Sequence, residues 1–513
     1  MNIRGLGSSV RLAVLIGLAG CLAASAARAE LRMPKIFTDH MVLQQQMPVA
    51  VWGWADPGQK VTVSILTASQ SAIADANGKW RLELPALKAA MTADKPAALV
   101  IASGKDRIEL KDVLIGEVWL AGGQSNMSRS VEIKDSTPGV RVFRRCLSEQ
   151  AGPIPVRDDY GDTFRCTWCL ATPEALQAAP PTIQRGGKMG MDISYGEVAY
   201  VFARTLNETL KVPVGVMNIA WGGSTAEAWT PKADIEKEYP FGKPAEGGYI
   251  AHRPGLMYQS QLRPIVPLTI RGVIWYQGED DGRNKDYARD LTTLIESWRK
   301  LWGRPEMPFY FVQIAQTGYA SGMLGVYTAQ VKVMETVPHT GLAVSNDIYD
   351  GDTGSNKIRL YQAKDPNDPG NGLPIAGSGN PHPPHKDLVA GRLARIALVK
   401  TYAQPERPIF GPIYDSSRIE GDKIVVKLKY AYDGLKTQDG NEPNWFQVSD
   451  GTMENRKLTF VKANAKIVGK DTVEVWSPQV KQPKFVRFAW DSLAKHNLVN
   501  SGSLPAVSFR TDE

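Results

Sequence analysis

From residue 31 to about 111 apolar and polar residues alternate in short runs, at 49–54, 61–66 and 80–84, with Asp56-Pro57-Gly58 and Asn77-Gly78 between them. A period of two broken by turn-forming residues predicts antiparallel strands joined as hairpins. From about Asp112 the pattern changes to continuous apolar runs, at 113–120, 212–220, 270–276, 308–314 and 341–345. Such runs, alternating with helix-period segments, predict strands buried on both faces in a parallel sheet covered by helices. Ser194 and Glu197 form a capping box ahead of Val198, Val201, Phe202 and Leu206, which share one helical face. A second helix over 287–301 gathers Leu291, Leu294, Ile295 and Trp298 and stops near Gly303. A third follows Pro383-Pro384 and points Leu388, Leu393 and Ile396 inward. After about Pro408 short strands return at 424–428, 472–476 and 485–490. The order is β, then α/β, then β, with no internal repeat.

Composition fits a folded chain of two or three domains: 513 residues, 43% hydrophobic and 22% charged. The 13 Trp are a rich supply for cores and for stacking on sugar rings. The net charge of +7 is spread along the chain without a basic run, which argues against a nucleic-acid partner. Arg4 and Arg11, the apolar stretch 12–27 and Ala27-Arg28-Ala29 read as a secretory signal covering 1–29. Leu18-Ala19-Gly20-Cys21 offers a competing address, a lipobox that would leave a lipid anchor on Cys21. No other segment is long and apolar enough to span a bilayer. The expectation is an exported protein, periplasmic or extracellular, or a lipoprotein tethered to a membrane. Cys146, Cys166 and Cys169 remain beyond Cys21; the C-x-x-C at 166–169 lacks a second ligand pair, so one disulfide among the three is expected rather than zinc. No metal and no cofactor are expected.

Ligands of open parallel sheets bind beyond the carboxyl ends of the strands, so the residues after each run carry the candidate chemistry. The first run ends in Gly122-Gly123-Gln124-Ser125-Asn126-Met127, the second in Trp221-Gly222-Gly223-Ser224, the third in Gln277-Gly278-Glu279-Asp280-Asp281. After the last lies Asn380-Pro381-His382-Pro383-Pro384-His385. Ser125 suits a nucleophile, although Met127 breaks the G-x-S-x-G pattern of an α/β-hydrolase elbow. Glycine amides and Gln277 suit oxyanion donors, and a histidine suits a general base, so the four loops together hold the parts for acyl transfer.

Gly-Gln-Ser-Asn-Met at 123–127, Trp221-Gly222-Gly223 with Glu227-Ala228-Trp229, Trp275-Tyr276-Gln277-Gly278-Glu279 and His-Pro-Pro-x-Lys at 382–386 resemble the sialate O-acetylesterase family of SGNH hydrolases. The opening at 37–44 and the ending at 486–490 and 504–506 resemble it too, so the likeness covers the mature chain. It implies a flavodoxin-like, three-layer SGNH domain with a parallel central sheet at 112–405. An N-terminal antiparallel β domain at 30–111 and a C-terminal, β-sandwich-like domain at 406–513 flank it. The implied activity is a serine esterase removing O-acetyl groups from sugars. Ser125 would be the nucleophile and His382 the base, with the amides of Ser125 and Gly223 and the side chain of Gln277 around the oxyanion. Relatives commonly carry Asn where His385 stands. SGNH enzymes often place an Asp two or three residues before the catalytic histidine; here those positions are Asn380 and Gly379, which leaves Asp347 and Glu279 as candidate acids. The connection from Tyr349 to Asn380 is longer than the family's usual one. Alternative substrates are other acetylated polysaccharides such as xylan. Outside enzymes, the alternative is an inactive sugar-binding protein whose Trp-rich β domains hold the ligand.

Overall fold

The structure, a computed structural model, describes residues 30–512 apart from 90–94, 130–133, 148–163, 178–195, 239–249, 283, 317–322, 349–380 and 492–493. The expected signal, Cys21 and Ser194 lie outside the described residues.

Among the described residues thirteen strands build the N-terminal and central parts. They are β1 (Val42–Gln44), β2 (Val49–Trp54), β3 (Lys60–Ile65), β4 (Ala68–Ile73), β5 (Lys79–Leu84), β6 (Ala97–Ser103) and β7 (Asp106–Gly123). They continue with β8 (Val140–Leu147), β9 (Phe164–Leu170), β10 (Val214–Asn218), β11 (Gly272–Tyr276), β12 (Phe309–Val312) and β13 (Thr340–Ala343). The helices are α1 (Ser125–Ser128), α2 (Pro173–Gln177), α3 (Glu197–Leu210), α4 (Lys232–Glu238), α5 (Tyr287–Leu301), α6 (Met323–Thr336) and α7 (Lys386–Lys400).

The central order is β13-β12-β11-β7-β10-β8-β9, parallel throughout except for the edge strand β9. β7 is the hinge of this topology, because its neighbours β10 and β11 are reached by crossovers to either side. The crevice beyond its carboxyl end is the position where such sheets bind ligands. β7 is also longer than the apolar run predicts: its first half pairs with β6, its second with β10 and β11, so the N-terminal strands and the parallel sheet share one element. One apolar core accordingly runs from Leu31 through the central region, while the last strands close over a separate core. Those last strands form a seven-stranded sheet, antiparallel wherever they pair. The architecture is mixed α/β, with a mostly parallel central sheet and further antiparallel sheets.

The helices cover the sheet through their apolar stripes. α3 buries Val198, Phe202 and Leu206, and α5 buries Leu291, Leu294, Ile295 and Trp298, as their spacing predicts. In α7 Leu393 and Ile396 are buried, but Leu388 is 47% exposed. Five residues separate Leu388 from Leu393, about 140° around the helix, so it cannot share that face. Cys166 and Cys169 sit in strand β9, paired with β8. α6 shows no continuous apolar stripe in the sequence, because its buried face includes Gln330. The side chains of Cys146 and Cys166 lie outside the described residues, and with them the expected disulfide.

Candidate active site

β7 ends in Gly122-Gly123, and the second glycine is dictated by its surroundings. Its φ is +126°, and a Cβ there would stand 2.1 Å from the carbonyl oxygen of Tyr276 on β11. The close approach turns the chain sharply, and Gln124 leads into the short α1 with Ser125 as its first residue. Gln124 locks this turn to the β11 loop. Its Nε2 donates to Asp280 Oδ2 at 3.0 Å and its Oε1 accepts from the Gly278 N–H at 3.3 Å.

His382 Nε2 lies 2.8 Å from Ser125 Oγ, and both residues are partly exposed. His385, at the N-cap of α7, is exposed. The imidazole of His382 is held at a pKa of about 4, first because burial disfavours its charged form and then because Arg129 and Lys386 place positive charge nearby. It is therefore neutral at neutral pH and able to accept the serine proton.

Behind Ser125 a buried polar network ties three loops together. Asn126 donates from Nδ2 to Glu279 Oε1 and, at 2.8 Å, to the carbonyl of Pro381. Lys386 donates from Nζ to Asn126 Oδ1 at 2.7 Å and to the Pro383 carbonyl at 3.0 Å. Burial raises the Glu279 carboxyl to about 7, against the opposing pull of its hydrogen bonds and of Lys386. Burial likewise lowers Lys386 to about 8. Asn126 and Lys386 are functional candidates that residue-type reasoning passes over. Both lie inside the quoted blocks, as the Asn after the serine and the Lys closing His-Pro-Pro-x-Lys, and that nearness is the only sequence signal they give.

The Gly222-Gly223-Ser224 turn is fixed beside Gly123. Ser224 Oγ donates to the Trp221 carbonyl at 2.8 Å and accepts from Trp229 Nε1 at 2.8 Å. Gly223 has a φ of +68°. Neither its N–H nor that of Ser125 has an acceptor among the described residues. Two backbone donors without an acceptor beside a serine are what a developing oxyanion requires.

Three expected site residues are placed differently from their expected roles. Gln277 is fully buried, and its Nε2 donates to the Ser224 carbonyl at 3.0 Å and to Asp281 Oδ2 at 2.5 Å, while its Oε1 accepts from Tyr287 at 3.0 Å. Both amide hydrogens are engaged, which removes it as an oxyanion donor and makes it a clamp between the second and third loops. Asp347 is bound by both oxygens to the Arg392 guanidinium, at 2.7 and 2.6 Å. Glu279 faces Asn126. Both carboxylates are engaged by partners of their own, Asp347 by Arg392 and Glu279 by Asn126. Asn380 and Gly379 lie outside the described residues. Among the described residues no three of His, Cys, Asp and Glu come together to hold a metal ion.

A serine with a neutral imidazole on its hydroxyl, and with backbone N–H groups at Ser125 and Gly223 that have no acceptor among the described residues, is equipped for acyl transfer. Residues 115–357 match the family profile described as carbohydrate esterase, sialic acid-specific acetylesterase. Over 480 residues the chain is 24% identical to the sialate O-acetylesterase of Homo sapiens, covering 84% of each chain. It is 25% identical to that of Mus musculus over 468 residues, 78% of this chain and 79% of the mouse protein. A crystal structure of a carbohydrate acetylesterase from Xanthomonas citri superposes with a TM-score of 0.72 at 27% identity, covering 94% of this chain and 99% of that one.

Proposed function

We propose, from the premise that the chain belongs to the sialate O-acetylesterase family of carbohydrate esterases, that it hydrolyses acetyl esters through an acetyl-serine at Ser125, with His382 as base. The observation that carries this reading is the 2.8 Å contact between His382 Nε2 and Ser125 Oγ. His382 takes the proton from Ser125 as Oγ attacks the acetyl carbonyl, and the carbonyl oxygen becomes an oxyanion between the N–H groups of Ser125 and Gly223. Collapse expels the sugar hydroxyl, which leaves with the proton held by His382. Water then attacks acetyl-Ser125, again giving its proton to His382, and acetate and the free serine are restored.

The substrate we assign is an O-acetylated sialic acid. The names of the human and mouse relatives and the description of the matching family support it. We further propose that residues 112–405 form a three-layer SGNH domain, flanked by β domains at 30–111 and 406–513, and that the chain is exported through its N-terminal signal. Acetate release from 9-O-acetyl sialic acid, acetylated xylan and acetylated pectin tests the substrate. Preference for the first supports the assignment, and preference for xylan or pectin moves the enzyme to a plant or microbial polysaccharide.

A further inference from the structure

A cleft of about 470 Å³ lies where the N-terminal strands meet the chain that leads into β11, within the range of small-ligand sites. Trp52, Trp54 and Trp80 line it on one side, Tyr258 and Pro267 on the other. Tyr258 and Pro267 precede β11, whereas Gln277 and Glu279 follow it, so this is a place distinct from the Ser125 crevice.

The alternation of β2 makes the aromatic wall unusual. Val49, Val51 and Gly53 are buried, while Trp52 and Trp54, on the opposite face, are both partly exposed. A solvent-facing strand position ordinarily carries a polar residue, so two indoles there call for a partner. Each is braced by a neighbouring side chain. The Arg32 guanidinium stacks 3.7 Å from the Trp54 ring centre, and Phe37 meets Trp52 edge-on at 4.9 Å. Trp80 is 3% exposed, and its indole N–H has no acceptor among the described residues. The rim carries Lys79, Arg81 and Arg263 with Asp75; Arg81 also donates from Nη2 to Glu83 Oε1 at 3.2 Å, and Asp75 Oδ1 accepts the N–H groups of Asn77 and Lys79 at 2.8 and 2.9 Å.

We propose that this cleft is an accessory binding site for an acidic saccharide, its pyranose faces lying on Trp52, Trp54 and Tyr258 and its carboxylates meeting the basic rim. The ligand class rests on the carbohydrate reading of the active site; the location does not. A fixed aromatic surface offers large contact area with little ordering cost, and guanidinium groups pair with carboxylates in two-point geometry. Such a site would keep the esterase on an acidic glycan between turnovers.

Affinity electrophoresis in gels containing polygalacturonate or neutral xylan tests this with the full chain. Trp54→Ala leaves the net charge unchanged, so unspecific attraction of a basic protein to a polyanion would survive the substitution. The expected result is retardation by polygalacturonate alone, with Kd weakened about tenfold in Trp54→Ala. Arg263→Gln, at an exposed position, is expected to weaken it in the same direction if Trp54→Ala proves unstable. Aryl acetate hydrolysis should stay at the wild-type level in both variants. No retardation of the wild type, equal retardation of wild type and Trp54→Ala, or retardation by xylan alone would overturn the proposal. Failure of the wild type to release acetate from any sugar ester would strike the carbohydrate reading and leave the cleft result standing.

Discussion

Asn126, next to Ser125, donates from Nδ2 to the carbonyl of Pro381, next to His382, over 2.8 Å. This bond joins the two loops whose tips must meet for proton transfer. Asn126→Ala should lower kcat by about 100-fold with little change in KM, because a displacement of about 1 Å at reacting atoms costs that much. Steady-state kinetics on one aryl acetate, with circular dichroism to confirm folding, checks it. Unchanged kcat would make Asn126 a packing residue only.

The two histidines near α7 should separate cleanly. His382→Ala removes the group 2.8 Å from Ser125 and is expected to be nearly inactive, whereas His385→Asn changes an exposed cap and should keep most activity. Comparing kcat/KM of the two variants decides it, and the reverse order would move the base to His385.

Gln277→Ala should act on stability more than on the chemical step. It strips the buried Ser224 carbonyl of its partner, at a cost of about 1–3 kcal/mol for a polar group left unsatisfied, whereas Asp281 keeps the Ala226 N–H and Asn284, and Tyr287 keeps the backbone carbonyl of residue 277. A lowered melting temperature, with kcat of the folded protein within about tenfold of wild type, is the expected result. A loss of about 100-fold to 1,000-fold in kcat at unchanged stability would restore Gln277 as an oxyanion donor.

The acid limb of kcat/KM reports the protonation of His382 in the free enzyme. With its pKa held at about 4, activity should persist well below the usual histidine range and fall only as the imidazole protonates. Lys386 contributes to that depression, so Lys386→Met removes a repelling charge, stabilises the imidazolium and should move the limb to higher pH. A limb that stays in place, or moves lower, would remove Lys386 as a cause.

Much of this was legible in the sequence because local pattern and tertiary demand agree. The apolar runs of β10 to β13 are buried on both faces whatever covers them, and α5 begins and ends where its stripe and Gly303 place it. Ser125 and His382 were readable as residue types at strand ends. Partner choice was not. Gln277 has the chemistry of an oxyanion donor, and only the positions of Ser224, Asp281 and Tyr287 show that its hydrogens are engaged elsewhere. Asp347 looks like a spare carboxylate until Arg392, 45 residues away, is seen to hold both its oxygens. Leu388 shows the same limit in miniature, since hydrophobicity without helical phase does not fix a side chain's face.

Release of acetate from a sugar through acetyl-Ser125 requires the Ser125 hydroxyl as nucleophile. The most direct measurement is acetate release from 9-O-acetyl sialic acid by the wild type and by Ser125→Ala at equal concentration of folded protein. Release by the wild type and a loss of at least about 1,000-fold in the variant are expected, because the oxyanion amides alone leave only residual catalysis. Turnover by Ser125→Ala near the wild-type rate would contradict it.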